Sequence, residues 1–232
     1  FAFLASVNLI DVPATLPATV TDMSYMFSGA SSFNGDVSGW DTGLVTDMSY
    51  MFNGAELFNQ SLNSWDTGLV TDMSHMFGDA SKFDQSLNSW DTDLVTDMSW
   101  MFTRATSFNQ SLNSWNTGQV TNMSLMFSYA SSFNQSLGDW DISSVGDMEY
   151  MLDNSALSVD NYDATLNGWA DIEQVKQRNV TLGAAGLYFS NNGSSAHSAL
   201  TNCWQWQIID AGNQDLGAGS LNADSQLVTN AC

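Results

Sequence analysis

The chain of 232 residues carries 25 acidic side chains against 4 basic ones, a formal net charge of −21. Phosphate backbones and anionic lipid surfaces repel such a chain, so the composition excludes nucleic acid and membrane surfaces as expected partners. A hydrophobic content of 44% predicts a packed interior, and no apolar run is long enough to insert into a membrane.

Residues 1–19, which include the segment LIDVPATLP, are predicted to form an N-terminal partial repeat that caps the structure. No basic and apolar leader opens the chain, and its start at Phe1 predicts a piece processed or excised from a longer protein. Only 12% of the residues are charged, a surface composition common on exported proteins.

An eight-letter motif, VTDMSYMF at Val20, returns with small changes every 25 residues, at Val45, Val70, Val95 and Val120. Equal spacing without a slip predicts that residues 20–157 form a solenoid in which each repeat is one turn. A single coil has too few large apolar side chains to offset the entropy of ordering its backbone. The coils are therefore expected to stack in register.

Each repeat is predicted to hold one short helix and one short parallel strand. Apolar residues three or four apart form the helix stripe: Met48, Met51, Phe52, Ala55 and Phe58. Thr46 is the expected N-cap, with Asp47 in the first turn. The polar segment that follows predicts a brief strand at residues 62–65, which makes the fold an α/β solenoid.

After residue 157 the period is lost, and residues 158–212 are predicted to form an α/β capping block. Tyr162, Leu166 and Trp169 have the spacing of a helix face. VTLGAAGLYF at Val180 and WQWQII at Trp204 predict strands on either side of a helix at residues 195–201. Residues 213–232 are predicted to be a loop-like tail.

Two cysteines, Cys203 and Cys232, lie outside the repeats and lack the CxxC spacing of zinc or redox sites. A disulfide between them would attach the tail and would fit an oxidising compartment. Two unpaired thiols are the alternative.

The order of valine, methionine, Met-Phe, alanine and phenylalanine, closed by a Trp-Asp-Thr turn, resembles the BspA-like leucine-rich-repeat bacterial surface proteins. The resemblance is to their methionine-rich branch with repeats of 25 residues and covers residues 20–152. ALTNCWQWQIIDAG at Ala199 resembles the short domain that closes such arrays, although Cys203 stands where relatives have glycine. The resemblance implies a leucine-rich-repeat-like fold, a place on the bacterial cell surface, and adhesion or protein binding.

Catalytic patterns are missing, and we expect no enzyme activity and no cofactor. His75 and His197 are not in an HExxH motif or at ligand spacing from a cysteine, and there is no GxSxG or phosphate-binding loop. Two aspartate columns leave a calcium site open as an alternative. They are Asp22, Asp47, Asp72 and Asp97, and Asp41, Asp66, Asp91 and Asp141.

Other repeated side chains are expected to serve the structure. The tryptophan column is predicted to be core, with a sugar-stacking platform as the alternative: Trp40, Trp65, Trp90, Trp115 and Trp140. The methionine pairs are predicted to be core as well. Two hydroxyl columns are expected to cap turns and helices, with an ice-binding array as the alternative. They are Thr42, Thr67, Thr92 and Thr117, and Ser61, Ser86, Ser111 and Ser136.

The sixth letter of the motif changes among bulky residues, while its neighbours stay constant: Tyr25, Tyr50, His75, Trp100, Leu125 and Tyr150. It is predicted to point away from the apolar stripe and to form a contact strip for a ligand, extended by Arg104 and Tyr129. In the alternative interpretation these side chains only cover neighbouring turns. A second candidate face is the polar column of Asn63, Asn88 and Asn113.

Together these features predict a non-enzymatic extracellular recognition or adhesion module. It would bind a protein or peptide ligand on another cell or surface, as a monomeric segment of a larger exported protein. A structural spacer within a long adhesin is the first alternative. A carbohydrate-binding domain or, less well supported, an ice-binding domain is the second.

Overall fold

The repeats form a solenoid whose coils are joined through their backbones. The structure is a computed structural model that describes residues 6–170 and 177–215. Equivalent residues of successive coils pair in parallel through isolated bridges, beginning with Asp22 and Asp47 and ending with Asn122 and Asp147. The predicted stacking in register is therefore confirmed.

The predicted helix in each repeat is wrong, because residues 20–157 contain turns in its place. The N–H of Met51 donates to the carbonyl of Met48 at 3.2 Å, whereas the N–H of Phe52 donates to Met76 in the next coil at 2.9 Å. This alternation continues along the segment. An α-helix needs consecutive bonds to the fourth preceding residue, so an N–H engaged by the neighbouring coil cannot take part in one.

The predicted strand at residues 62–65 is also wrong, since these residues form a turn closed by the N–H of Trp65 and the carbonyl of Leu62, 3.1 Å apart. Thr46 is not an N-cap. Its hydroxyl and its N–H both donate to the carbonyl of Thr21, one coil earlier. Backbone groups that sequence spacing assigns to helices and strands are instead hydrogen-bonded to the neighbouring coils.

The predicted core is confirmed, with the methionine, phenylalanine and tryptophan columns buried throughout. Phe52 stacks on Phe58 within its coil, with ring centroids 3.9 Å apart, and on Phe77 of the next coil at 5.7 Å. The indole N–H of Trp65 donates to the carbonyl of Val37 at 3.1 Å. Each coil thus buries its side chains largely against the coils on either side.

Asparagine side chains connect the coils at a further corner. The side-chain oxygen of Asn59 accepts a bond from the N–H of Asp84 at 3.0 Å and one from the side-chain amide of Gln85 at 2.9 Å. Asp84 does the same for the N–H of Asn109, at 3.0 Å. The recurring Phe-Asn-Gln-Ser segment therefore builds a side-chain ladder along the solenoid.

The first complete coil is covered by residues 6–19. Leu9, Val12 and Leu16 pack against the core, and the carbonyl of Pro13 accepts the indole N–H of Trp40 at 2.8 Å. This segment occupies the place that a preceding coil takes elsewhere in the stack. Residues 1–5 of the predicted N-terminal cap lie outside the described residues.

The C-terminal block contains all four regular elements of the described chain: α1 (Val159–Trp169), β1 (Thr181–Gly183), α2 (Ser194–Asn202) and β2 (Gln207–Ile209). They lie where the sequence predicts helices and strands. β1 and β2 are parallel, with Leu182 opposite Ile208, and Leu182 also bridges Met148. The two strands thus add two layers to the same column of backbone pairing.

Helix α1 begins after Ser158, whose hydroxyl caps it by accepting the N–H of Asn161 at 3.3 Å. The helix lies directly against the last coil, because a Cβ on Gly168 would stand 2.1 Å from the carbonyl oxygen of Gly138. Trp169 donates its indole N–H to Leu137 at 2.9 Å and so continues the tryptophan column.

Cys203 immediately follows α2 as its C-cap residue, but Cys232 lies outside the described residues, so the disulfide between them stays a prediction. Of the predicted tail, only residues 213–215 are described. None of the described helices is both long and apolar enough to cross a membrane.

Candidate functional site

The aromatic strip, which we define as the sixth-letter residues, contains a continuous stack of four rings. Tyr25 and Tyr50 lie 4.4 Å apart between ring centroids, Tyr50 and His75 4.0 Å, and His75 and Trp100 5.0 Å. All three pairs are within 12° of parallel. The backbone register continues the strip to Leu125 and Tyr150.

Every residue of the strip has a left-handed backbone, with φ between 55° and 60°. A stacked turn places each one: the N–H of Met51 closes the turn back to Met48, while the N–H of Tyr50 donates to Ser74 in the next coil at 2.8 Å. Such a backbone is unusual for bulky residues and normally favours glycine or asparagine. The strip is thus outside the buried stripe, as predicted, but through turn geometry rather than a helix.

The strip is only partly exposed, since its first five members are half-buried and Tyr150 is exposed. Burial lowers the pKa of His75 below its ordinary value of 6.5, and the nearby carboxylates of Asp97 and Asp72 oppose that effect. Burial likewise raises the pKa of the Tyr50 hydroxyl. Tyr50 and His75 each have a stacked ring on both faces, so what these two rings offer a ligand is their outer edge.

A second left-handed column lies four residues after the strip in each coil: Gly29, Gly54, Asp79, Arg104, Tyr129 and Asn154. Arg104 and Asp79 lie on adjacent coils with their charged atoms 3.8 Å apart. Their side chains are 60% and 50% exposed. Tyr129 is 53% exposed. The structure thus places Arg104 and Tyr129 in one exposed column beside the strip.

The other repeated columns divide into buried and exposed groups. The tryptophan column of the repeats is 1–4% exposed, so these indoles form no sugar-stacking surface. The threonine column is also buried, and each hydroxyl donates to a backbone carbonyl of the next coil, as Thr67 does to Asp91 at 2.8 Å. The predicted turn-capping role is confirmed for serine as well, since Ser136 accepts the N–H of Gly138 at 3.2 Å.

The asparagine column of Asn63, Asn88 and Asn113 is exposed, and each of these residues donates its backbone N–H to a serine hydroxyl two residues earlier. It remains a second exposed face, and its side chains carry no ring or charge that would select a partner. The strip offers more distinctive chemistry.

Both aspartate columns use one carboxylate oxygen for local turns. Asp47 accepts the N–H of Ser49 at 2.8 Å, and Asp66 accepts the N–H of Gly68 at 3.0 Å. Over residues 6–170 and 177–215, no three carboxylate, imidazole or thiol side chains group together in a way that could hold a metal ion. Hydrogen bonds from Ser24 lower the pKa of Asp22, at the start of the first column.

The capping block holds a polar cluster that sequence spacing does not indicate. Buried Tyr162 donates its hydroxyl to Asp210 at 2.9 Å, and Nε2 of His197 lies 3.4 Å from the same carboxylate oxygen. Burial raises the pKa of Tyr162 well above its ordinary value. Nδ1 of His197 is buried without a hydrogen-bond partner in the described part of the chain. The cluster joins α1, α2 and the residue after β2.

A family profile described as "Mycoplasma protein of unknown function, DUF285" matches three overlapping segments of the chain, residues 5–93, 61–169 and 85–193. Together these segments cover the solenoid and most of the capping block.

The chain belongs to this family.

The overlap of the three segments fits the repeated coils of a DUF285 protein, in which one profile can be placed at several registers of the stack. No curated protein and no solved structure matches the chain. The family match does not distinguish branches. The resemblance to the bacterial leucine-rich-repeat branch is therefore a finer assignment, which the match does not reach.

Two features of the site were missed by sequence analysis. Left-handed backbone next to the strip had a signal in Gly29 and Gly54, which lie four residues after Tyr25 and Tyr50, whereas the strip itself had none. The cap cluster had none, since Tyr162, His197 and Asp210 are far apart in the chain and meet only through α1, α2 and β2.

Proposed function

We propose that this chain is a non-enzymatic recognition module that binds a protein or peptide through the aromatic strip and its Arg104–Tyr129 extension. The observation that carries the proposal is the row of large side chains placed on left-handed backbone, where glycine fits without strain. We further propose that it belongs to the BspA-like leucine-rich-repeat branch. In that case it acts outside the cell, as a monomeric segment of a surface protein that meets a ligand on another surface.

The energetics of the strip support a role beyond stability. A left-handed backbone costs an ordinary residue on the order of 1–2 kcal/mol, and an aromatic pair returns about 0.5–1.5 kcal/mol beyond its buried area. Stacking therefore offsets the strain of Tyr50 or His75 with little left over. Gly29 and Gly54 occupy the neighbouring left-handed column of the same coils. The fold therefore accepts glycine, which adopts this backbone without strain, at left-handed positions. Exposed aromatic edges and an arginine are the side chains that dominate protein interfaces.

A spacer within a long adhesin is the second candidate, and one observation favours it. Tyr25, Tyr50, His75 and Trp100 stack upon one another, so they fill part of their own surface without a ligand. Carbohydrate binding has less support, because Trp100 is the one tryptophan of the strip and the tryptophan column of the repeats is buried.

The proposal is tested by presenting the whole chain to an array of surface proteins, peptides and glycans. We expect a protein or peptide to bind, and Trp100→Ala or Tyr50→Ala to weaken that complex by about tenfold or more, as for central interface aromatics. Tyr188→Ala is the control, since Tyr188 is an exposed tyrosine on the capping block, outside the strip. It should leave binding unchanged.

Stability must be measured in parallel, because each strip residue also contacts its neighbours. We expect Tyr50→Ala and Trp100→Ala to lower the free energy of unfolding by about 1 kcal/mol through lost stacking, while the fold stays intact. Absence of any binding at high concentration would favour the spacer. Binding of simple sugars with quenching of tryptophan fluorescence would favour the carbohydrate alternative.

A further inference from the structure

Three leucines that are not part of the aromatic strip form an exposed row on the solenoid. Leu44, Leu69 and Leu94 are 53%, 46% and 48% exposed, and they occupy the same position of three successive coils. We call them the leucine row. Gln119 takes this position in the following coil and ends the row. An apolar side chain that is repeatedly left in solvent marks a contact surface.

Backbone geometry holds the row in place. Each leucine sits near the tip of a turn, which for Leu69 is closed by the N–H of Val70 and the carbonyl of Thr67 at 2.9 Å. The valine that follows is buried, and the turn therefore points the leucine away from the core. Adjacent coils are joined by parallel backbone pairing, so leucines in the row stand about 4.8 Å apart along the solenoid.

Carboxylates border the leucine row on both sides in the chain. The exposed residues Asp41, Asp66 and Asp91 come three positions before each leucine, and Asp47, Asp72 and Asp97 come three positions after it. A Cβ on Gly68 would lie 3.4 Å from Oδ1 of Asp66 and 3.5 Å from Oδ2 of Asp91. Carboxylates from neighbouring coils therefore converge beside the small residue that precedes the leucine.

Within residues 6–170 and 177–215, no cation forms a salt bridge with these carboxylates. The salt bridges of residues 6–170 and 177–215 join Arg104 to Asp79 and His197 to Asp210, and neither involves an aspartate of the two columns. Each leucine of the row thus has an aspartate three positions before it and another three positions after it, and neither forms a salt bridge in the described part of the chain. A partner that is both apolar and cationic would bury the leucine row and neutralise the aspartate carboxylates.

We propose that the leucine row and its aspartate borders bind a basic amphipathic helix, with an apolar stripe flanked by lysine or arginine. A helix laid along the solenoid presents one apolar residue per turn of about 5.4 Å, close to the coil spacing of about 4.8 Å. Over three coils the two periods differ by little more than about 1 Å. An apolar stripe can therefore meet each leucine, while its flanking cations reach the carboxylates of either border.

The test uses a synthetic helix-forming peptide of leucine and lysine, about 14 residues long, so that it spans the row. Binding to the whole chain is measured by titration calorimetry at low and high salt. We expect the peptide to bind, with an affinity that falls as salt rises because the carboxylates of Asp41, Asp66 and Asp91 are solvent-exposed. A peptide with glutamate in place of lysine should not bind. A scrambled leucine and lysine sequence without an apolar stripe should bind about tenfold more weakly.

The decisive variant is Leu44→Ser, Leu69→Ser and Leu94→Ser in one chain, which should weaken the peptide complex by about tenfold or more. Leu57→Ser is the single-site control, because Leu57 is 50% exposed but lies outside the row, and it should leave peptide binding unchanged. Asp66→Asn should reduce both the affinity and its salt dependence. Equal binding by the triple variant and the control would overturn the proposal, since it would leave only general attraction to an acidic protein.

Self-association through the row is a further outcome that would overturn it. Sedimentation of the free chain should show a monomer whose mass the triple variant leaves unchanged, whereas a dimer lost in that variant would make a second copy the occupant. Tyr50→Ala and Trp100→Ala should not affect peptide binding. Failure of the aromatic strip as a recognition surface and failure of the leucine row are thereby distinguished.

Discussion

The indole N–H of Trp90 donates to the backbone carbonyl of Leu62 at 3.1 Å, and so ties one coil to the coil before it. We predict that Trp90→Phe lowers the free energy of unfolding by about 1–3 kcal/mol, because it removes this hydrogen bond and leaves unfilled space in a packed interior. Urea unfolding followed by circular dichroism measures the change. Trp100→Phe is the control, and a loss of equal size there would contradict the assignment of Trp90 to the core.

Arg104 tests the cost of the left-handed column. Its φ is 54°, where Gly29 and Gly54 stand in other coils, so we predict that Arg104→Gly is more stable than Arg104→Ala by about 0.5–1 kcal/mol. Both variants lose the exposed contact with Asp79 at 3.8 Å, so their difference isolates the backbone. The same pair of substitutions at Thr106, which is not among the left-handed residues, should favour alanine. Alanine being better at both positions would contradict the backbone assignment.

His75 should make stability depend on pH. Its pKa in the folded state is lowered below 6.5 by burial, so the unfolded chain binds a proton more readily. The contribution of His75 to the free energy of unfolding is therefore constant above pH 6.5. It decreases as the pH falls from 6.5 toward the folded-state pKa. His75→Tyr keeps a ring in the stack and should flatten this part of the profile. Urea unfolding of both proteins over this pH range measures it, and parallel profiles would show that His75 is not the group responsible.

Removal of calcium is expected to have no effect on stability. Each aspartate column already uses one carboxylate oxygen in a local turn, as Asp47 does with Ser49 at 2.8 Å. The described residues lack a group of three ligand side chains. Thermal unfolding in the presence of a chelator and of excess calcium should give the same melting temperature. A rise of several degrees with calcium would instead establish a site between the columns.

Sequence spacing predicted the coil length, the buried columns and the order of elements in the capping block. It did so because in-register stacking converts each repeated letter into a column, whatever the local backbone. It failed on the conformation within the coil, where Met48, Met51 and Phe52 have helical spacing but belong to stacked turns. Spacing reports which side chains face the interior, and turns closed at three residues bury the same positions as a helix.

The aromatic strip was predictable as a column but not as strained backbone, because the sign of φ at Tyr50 is set by bonds to the next coil. The leucine row was visible in the sequence as a repeated letter. The letter alone does not predict an exposed side chain, because apolar letters in the repeats are mostly core and only the turn geometry shows that Leu69 faces solvent.

The parallel pairing of Asp47 with Asp72, and of each such residue with its equivalent in the next coil, has a consequence for how the protein changes over generations. A one-residue insertion would disturb the register between the coil that contains it and its neighbours, whereas gain or loss of a complete unit leaves the register at every junction unchanged. Recombination between near-identical units can therefore lengthen or shorten the molecule in whole steps, and each step adds or removes one place on every outward-facing column.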